Sequence, residues 1–196
     1  MTARIALATG AAIEAYFEAL AGLRITVFRE YPYLYEGSLD YERQYLASYA
    51  SSPAGLAVLV IDGDRVVGAS TAMPLTQHSD AVVPPLVRAG IAPDTVYYFG
   101  ESVLEPAYRG RGFGEAFFVE RERRARDLGY RVAAFCAVDR PADHPRRPPG
   151  YVAPGALWRR RGFVRRPDIV GEFDWQDLGE PTETTKPMVF WLKELA

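Results

Sequence analysis

Residues 95–130 read TVYYFGESVLEPAYRGRGFGEAFFVERERRARDLGY, and the order of chemistry along them decides the fold. The first third is β-branched and aromatic, as suits a strand inside a packed sheet. It stops at Pro106, which has no N–H to give to a ladder. Gly110, Gly112 and Gly114 follow, interleaved with Arg109 and Arg111, and then a run of helix formers ends at Gly129. The first turn of a helix carries unpaired N–H groups and a partial positive charge, so stripping side chains from it lets an anion reach the amides. Arg109 and Arg111 add charge-assisted donors whose geometry suits phosphate.

Working outward, residues 55–75 (GLAVLVIDGDRVVGASTAMPL) give two β-rich runs joined by Asp62-Gly63-Asp64, a hairpin signal. Earlier still, residues 4–8 form a short strand, Thr9-Gly10 offers a helix entry, and residues 11–31 carry apolar positions at helical spacing. Ser38 opens a second helix that stops at Ser51-Ser52-Pro53. Residues 76–95 hold Pro84, Pro85 and Pro93, which predicts an excursion with only a short helix near Leu86, a lid or pocket wall. Downstream, RVAAFCAV (131–138) reads as a buried strand, residues 139–155 as a Pro/Arg/Gly loop, GALWRRRGF (155–163) as a short helix ending at Gly162, and KPMVFWLKEL (186–195) as a last strand. The order β, α, α, β, β, β, α, β, α, β is a mixed α/β layer architecture without a linker, so one domain is expected over 1–196.

Composition closes off several function classes. At 196 residues the chain can bury a core without staples, and a net charge of −2 recruits neither nucleic acid nor an anionic membrane. The lone cysteine, Cys136, excludes an internal disulfide framework, no zinc spacing is present, and no window approaches a membrane span. A cytoplasmic protein fits these facts.

Two phosphate-binding motifs fail on spacing. A P-loop needs Lys followed by Ser or Thr after its last glycine, where this chain has Glu115-Ala116, and a dinucleotide fingerprint needs glycine where Glu115 stands. What remains is Arg109-x-x-Gly112-x-Gly114, which resembles the coenzyme A signature of the GNAT superfamily of N-acetyltransferases at every fixed position. Val103-Leu104-x-Pro106-x-Tyr108 is similar to the strand end before that signature, and Trp158-x-x-x-Gly162-Phe163 to the family's late helix.

The resemblance implies an α/β fold whose mostly antiparallel sheet splays at the cofactor site, with acetyl-CoA as co-substrate and a primary amine of a small molecule or peptide as acceptor. It implies that Ser102, Val103 and Leu104 pair with the pantetheine arm, and that Arg109, Gly110, Arg111, Gly112, Phe113, Gly114 and Glu115 hold the pyrophosphate. The amine must lose a proton before it attacks. Glu101, an acid inside an apolar strand, is the candidate base, although a one-residue change of register would put Gly100 in its place. The family's late-helix tyrosine, a general acid, is Trp158 here, and indole cannot serve, so Tyr151 is the replacement candidate. Cys136 reads as a packed thiol, and His78 and His144 as exposed loop residues.

Arg29, Tyr31, Tyr33 and Tyr35 lie where the first helices wall the acceptor site in such folds, and tyrosine rings suit a cation. The arginines between Arg140 and Arg166 are broken by prolines and followed by acidic residues, which favours a solvated face near the cofactor over a nucleic-acid track. The edge strands of such a fold are compatible with a homodimer. Two rival readings stand beside the enzyme: a non-catalytic acyl-CoA-binding module, and an Arg-rich interaction domain.

Overall fold

The computed structural model describes residues 3–78 and 81–195. In chain order the elements are β1 (Arg4–Thr9), α1 (Phe17–Phe28), α2 (Leu39–Ser51), β2 (Leu56–Asp62), β3 (Arg65–Pro74), α3 (Val83–Arg88), β4 (Val96–Leu104), α4 (Phe113–Asp127), β5 (Val132–Val138), α5 (Gly155–Arg160), β6 (Val164–Trp175) and β7 (Thr184–Glu194). The strands form one sheet in the order β1-β2-β3-β4-β5-β7-β6. Every neighbouring pair is antiparallel except β4 and β5. Among the described residues, no helix is long and apolar enough to cross a membrane.

Alternation along the strands covers both faces of the sheet. On β2, Ala57, Leu59 and Ile61 join the cluster beneath α1 and α2, while Leu56, Val58 and Val60 join the cluster that contains Phe117 of α4. Gly63 takes φ 61° in the β2–β3 turn, as its place in the hairpin requires. Ser38 caps α2, its hydroxyl accepting from the Tyr41 N–H at 3.3 Å.

Three expectations change. The predicted first helix begins as a 3-10 segment over Gly10–Tyr16 before α1, and the Thr9 side chain makes no cap hydrogen bond. Instead the Gly10 N–H is tied to the Gly55 carbonyl at the start of β2. β6 is a strand the sequence did not announce. It is an edge strand with a mostly exposed surface, and Arg165, Arg166, Pro167 and Asp168 sit in it around a register shift between Arg166 and Val170. The third change concerns His78, which is half-buried and packs against Tyr98 with ring centroids 4.6 Å apart.

One irregularity positions the site. The β3–β4 register slips between Ser70 and Ala72, so Gly100 and Glu101 together face Thr71, a β-bulge. An extra residue moves everything after it to the opposite face. Tyr97 and Phe99 therefore pack with Phe118 on the α4 side, whereas Val103 joins the α1–α2 cluster. Glu101 follows Val103. Gly100 is required at the bulge, because a Cβ there would lie 2.4 Å from both the Thr71 and the Tyr49 hydroxyl oxygens.

Candidate active site

The start of α4 is as bare as its sequence demands. Gly110 (φ 74°) and Gly112 (φ 87°) occupy the left-handed region, and a Cβ built on either would meet nothing within 4 Å. Gly112 is the N-cap and offers no side chain to the first-turn amides, which leaves the N–H groups of Phe113, Gly114 and Glu115 pointing out of the helix end. Of the two arginines, Arg111 lies over the Tyr108 ring at 5.2 Å. Arg109 is engaged elsewhere: both terminal nitrogens donate to Glu30, at 2.8 and 3.0 Å, and its Nε donates to the Leu104 carbonyl at 3.0 Å.

Beside this helix end the sheet opens. β4 and β5 pair only over Val96–Tyr98 and Val132–Ala134, although both strands run on, to Leu104 and Val138. The Glu105 N–H bonds the Val67 carbonyl at 3.0 Å. Antiparallel alternation therefore turns the backbone of Val103 toward β3, and that of Ser102 and Leu104 into the opening. A cavity of about 380 Å³ fills the gap and is lined from both faces, by Phe118 of α4 and Trp158 of α5 on one side and by Phe28 and Tyr33 on the other, with Glu101 and Tyr151 in the same lining.

Glu101 sits in a cluster assembled from distant segments. Arg24 of α1 holds it at 2.7 Å and also bonds Glu42 of α2, with both carboxylate side chains 1% exposed or less. The Tyr45 hydroxyl donates to the same Glu101 Oε2 at 3.1 Å. Glu101 Oε1 is buried with no hydrogen-bond partner among the described residues, and so is Glu42 Oε1. One guanidinium thus faces two carboxylates, and the cluster keeps acceptor capacity to spare. Beneath the bulge, Arg121 of α4 donates to the Thr71 and Glu101 carbonyls, each at 3.4 Å, and to the Ser102 hydroxyl at 2.9 Å, replacing the ladder bonds that the bulge breaks.

The other sequence candidates divide. Tyr33 is half-buried against Phe28 and Trp175, and Tyr31 meets Tyr151 edge-on at 4.8 Å. Burial and the neighbouring Tyr31 raise the Tyr151 pKa, so its hydroxyl stays protonated. Arg29, Tyr31 and Tyr35 fall outside the cavity lining: Arg29 pairs with Glu36 at 2.8 Å, Tyr31 packs on Tyr151, and Tyr35 turns toward Tyr41. Cys136 lines the cavity, with its sulfur 3.0 Å from the Tyr98 hydroxyl, and burial pushes the thiol up to about 12. Most of the Arg-rich segment is tied down residue by residue: Arg165 pairs with Asp139 and Arg166 with Asp168, and Arg140 holds the Pro32 and Tyr33 carbonyls and Asp177. Among the described residues no group of His, Cys, Asp and Glu is arranged to hold a metal ion.

Arg24, Glu42 and Arg121 were missed from the sequence. A signal existed for two of them: Arg24 follows Leu20 and Ala21 at helical spacing on the core face of α1, and Arg121 lies between Phe117 and Ala125 on the core face of α4.

Comparison with known proteins gives this geometry a lineage. The model of the acetyltransferase (GNAT) family matches residues 21–147. The chain belongs to the GNAT acetyltransferase family. Its fold is shared by ribosomal-protein-alanine N-acetyltransferase from Brucella melitensis at 18% identity, covering 98% of this chain and 99% of that one with a TM-score of 0.62. A phosphinothricin acetyltransferase from Sinorhizobium meliloti, in complex with AcCoA, aligns at 17% identity over 100% of this chain and 90% of its own, with a TM-score of 0.61. An N-acetyltransferase from Staphylococcus aureus Mu50 aligns over the whole of both chains at 12% identity and a TM-score of 0.63. No curated protein matches this GNAT chain in sequence.

Proposed function

We propose that the chain uses acetyl-CoA as co-substrate and transfers the acetyl group to a primary amine of a small molecule or peptide, by direct attack in a ternary complex. The observation that carries this reading is the parting of β4 from β5 beside a side-chain-free helix start, with a buried carboxylate lining the gap. The residues present suit the co-substrate. First-turn amides of α4 and Arg111 suit a diphosphate, and the outward backbone groups of Ser102 and the Leu104 N–H offer strand-like pairing to an amide-bearing arm, the Leu104 carbonyl being held by Arg109.

Glu101 takes the proton from the acceptor ammonium, directly or through water, because Oε1 is the acceptor its cluster leaves unpaired. Tyr151 hydrogen-bonds the departing thiolate and supplies its proton. Phe28 and Tyr33 wall the acceptor side, Tyr31 backs Tyr151 from outside the lining, and Arg29 and Tyr35 are left out of that assignment. A cytoplasmic location accompanies this reading, in keeping with the lone thiol.

The test pairs calorimetry with kinetics. Acetyl-CoA should bind the purified chain, and Glu101→Gln should bind it equally well while losing about 10²-fold or more in kcat against amines the wild type acetylates. Binding without turnover by the wild type against a broad amine set would favour the non-catalytic module, and absence of binding would end the reading.

A further inference from the structure

A base that accepts a proton in each turnover must also lose one, and Glu101 is badly placed to release it. Its side chain is 1% exposed and faces Arg24 at 2.7 Å, so solvent does not reach the carboxyl group directly to take the proton away. Hydrogen bonds lead away from it. The Tyr45 hydroxyl lies 3.1 Å from Glu101 Oε2, the Tyr49 hydroxyl 2.7 Å from that of Tyr45, and His78 Nε2 3.3 Å from that of Tyr49. These groups come from β4, α2 and the turn after β3, and the last is half-buried between exposed Gln77 and the surface.

We infer that Tyr45, Tyr49 and His78 form a proton relay that drains Glu101 toward the surface. The inference rests on the reading of Glu101 as the base. In each transfer one O–H or N–H bond forms as another breaks. Protonated Glu101 gives its proton to the Tyr45 oxygen, Tyr45 gives its own to Tyr49, Tyr49 gives its own to His78 Nε2, and the imidazolium passes one proton outward from its other ring nitrogen, to whatever group or solvent lies beyond it. The net change is one proton moved off Glu101, whose carboxylate is restored, with Tyr45, Tyr49 and His78 neutral again. His78 suits the last position because burial lowers its pKa to about 4, against the opposing influence of Glu101, so it neither starts protonated near neutral pH nor retains what it receives. Among the described residues, the ionisable groups facing it include Tyr45 and Tyr49 from α2 and Tyr98 and Glu101 from β4. Both α2 tyrosines have pKa values raised chiefly by burial, which keeps their hydroxyls protonated and suited to concerted transfer.

Steady-state acetylation at saturating substrates, measured in light and heavy water, tests the relay, because the base must be drained before each new turnover. Tyr49→Phe keeps the ring and removes one link, and it should slow the step roughly tenfold or more while acetyl-CoA affinity and melting temperature hold. His78→Ala should slow it comparably, and added imidazole should restore the rate in proportion to its concentration. The wild type should show a curved dependence on deuterium fraction, and Tyr49→Phe a straight one. Wild-type rates in both variants would overturn the relay, as would a loss that imidazole does not repair and that leaves the isotope dependence unaltered. Glu101→Gln separates the two readings: if it alone is slow, Glu101 stands as the base and the relay falls, and if it is as fast as wild type, the base assignment fails first.

Discussion

The two sides of the opened sheet are built by opposite means. On the α4 side the site is main chain: left-handed glycines, a helix start without a capping side chain, and strand groups with no neighbour on β5. On the α1–α2 side it is almost wholly side chain, with Arg24, Glu42, Tyr45, Tyr49, His78 and Glu101 drawn from four separated segments and mostly buried. An invariant diphosphate can be held by geometry that any sequence with enough glycine supplies. An acceptor and its proton need particular chemical groups, and those need a scaffold to hold their charges apart from water.

The contrast is sharpest in what each side tolerates. Replacing Arg24 with Met would leave Glu42 and Glu101 buried without their cation and should destabilise the fold by about 3–5 kcal/mol, read by urea unfolding. A loss under about 1 kcal/mol would mean that the carboxylates are solvated or protonated and that the cluster is not charged as drawn. Next in size is Gly112→Val, which forces a β-branched residue to φ 87° and places methyl groups over the first-turn amides. Acetyl-CoA affinity should fall about 10- to 100-fold, the range for losing hydrogen bonds to a charged group, with calorimetry as the check. Unchanged affinity would show that the helix start does not carry the diphosphate.

The same contrast explains what the sequence disclosed. The strand, glycine turn and helix over residues 95–130 are contiguous, so turn chemistry and periodicity fixed them without knowledge of the rest of the chain. β6 was hidden because among the described strands it pairs with β7 alone, and its charged residues and Pro167 look like loop until that pairing exists. Glu101 was visible as an anomaly, but its face was not, since a one-residue bulge at Gly100 decides it and leaves no periodic trace. Its partner Arg24 lies 77 positions upstream of it in the sequence, beyond any local pattern. His78 looked like an exposed loop residue because only tertiary packing on Tyr49 and Tyr98 buries it.

That burial gives the acceptor side a pH signature on the acid side of neutrality. His78 is held near a pKa of about 4 in the fold, against an ordinary value of 6.5. Between those values the unfolded chain binds a proton that the folded chain refuses, so stability is full above pH 6.5 and is lost as pH falls toward 4. Melting temperature should therefore drop across this window in the wild type and drop less in His78→Gln. Equal slopes would show that the fold does not hold the imidazole's pKa down.

The smallest effect tests the arginines of the glycine turn. Arg109 is the fixed cation of the signature, yet its guanidinium is shared between Glu30 and the Leu104 carbonyl, whereas Arg111 only covers a tyrosine ring. The Arg109–Glu30 pair is 44% and 43% exposed, so Arg109→Gln should change folding stability by less than about 1 kcal/mol. For acetyl-CoA affinity the order should be Arg111→Gln weaker than Arg109→Gln, because Arg109 must surrender an existing partner to reach a phosphate. Glu30→Gln would remove that competitor and should tighten binding, more at low salt than at high salt. If Arg109→Gln proves the more damaging change, its bond to Glu30 is one that ligand binding exchanges, and the helix start is then less complete by itself than its bare amides suggest.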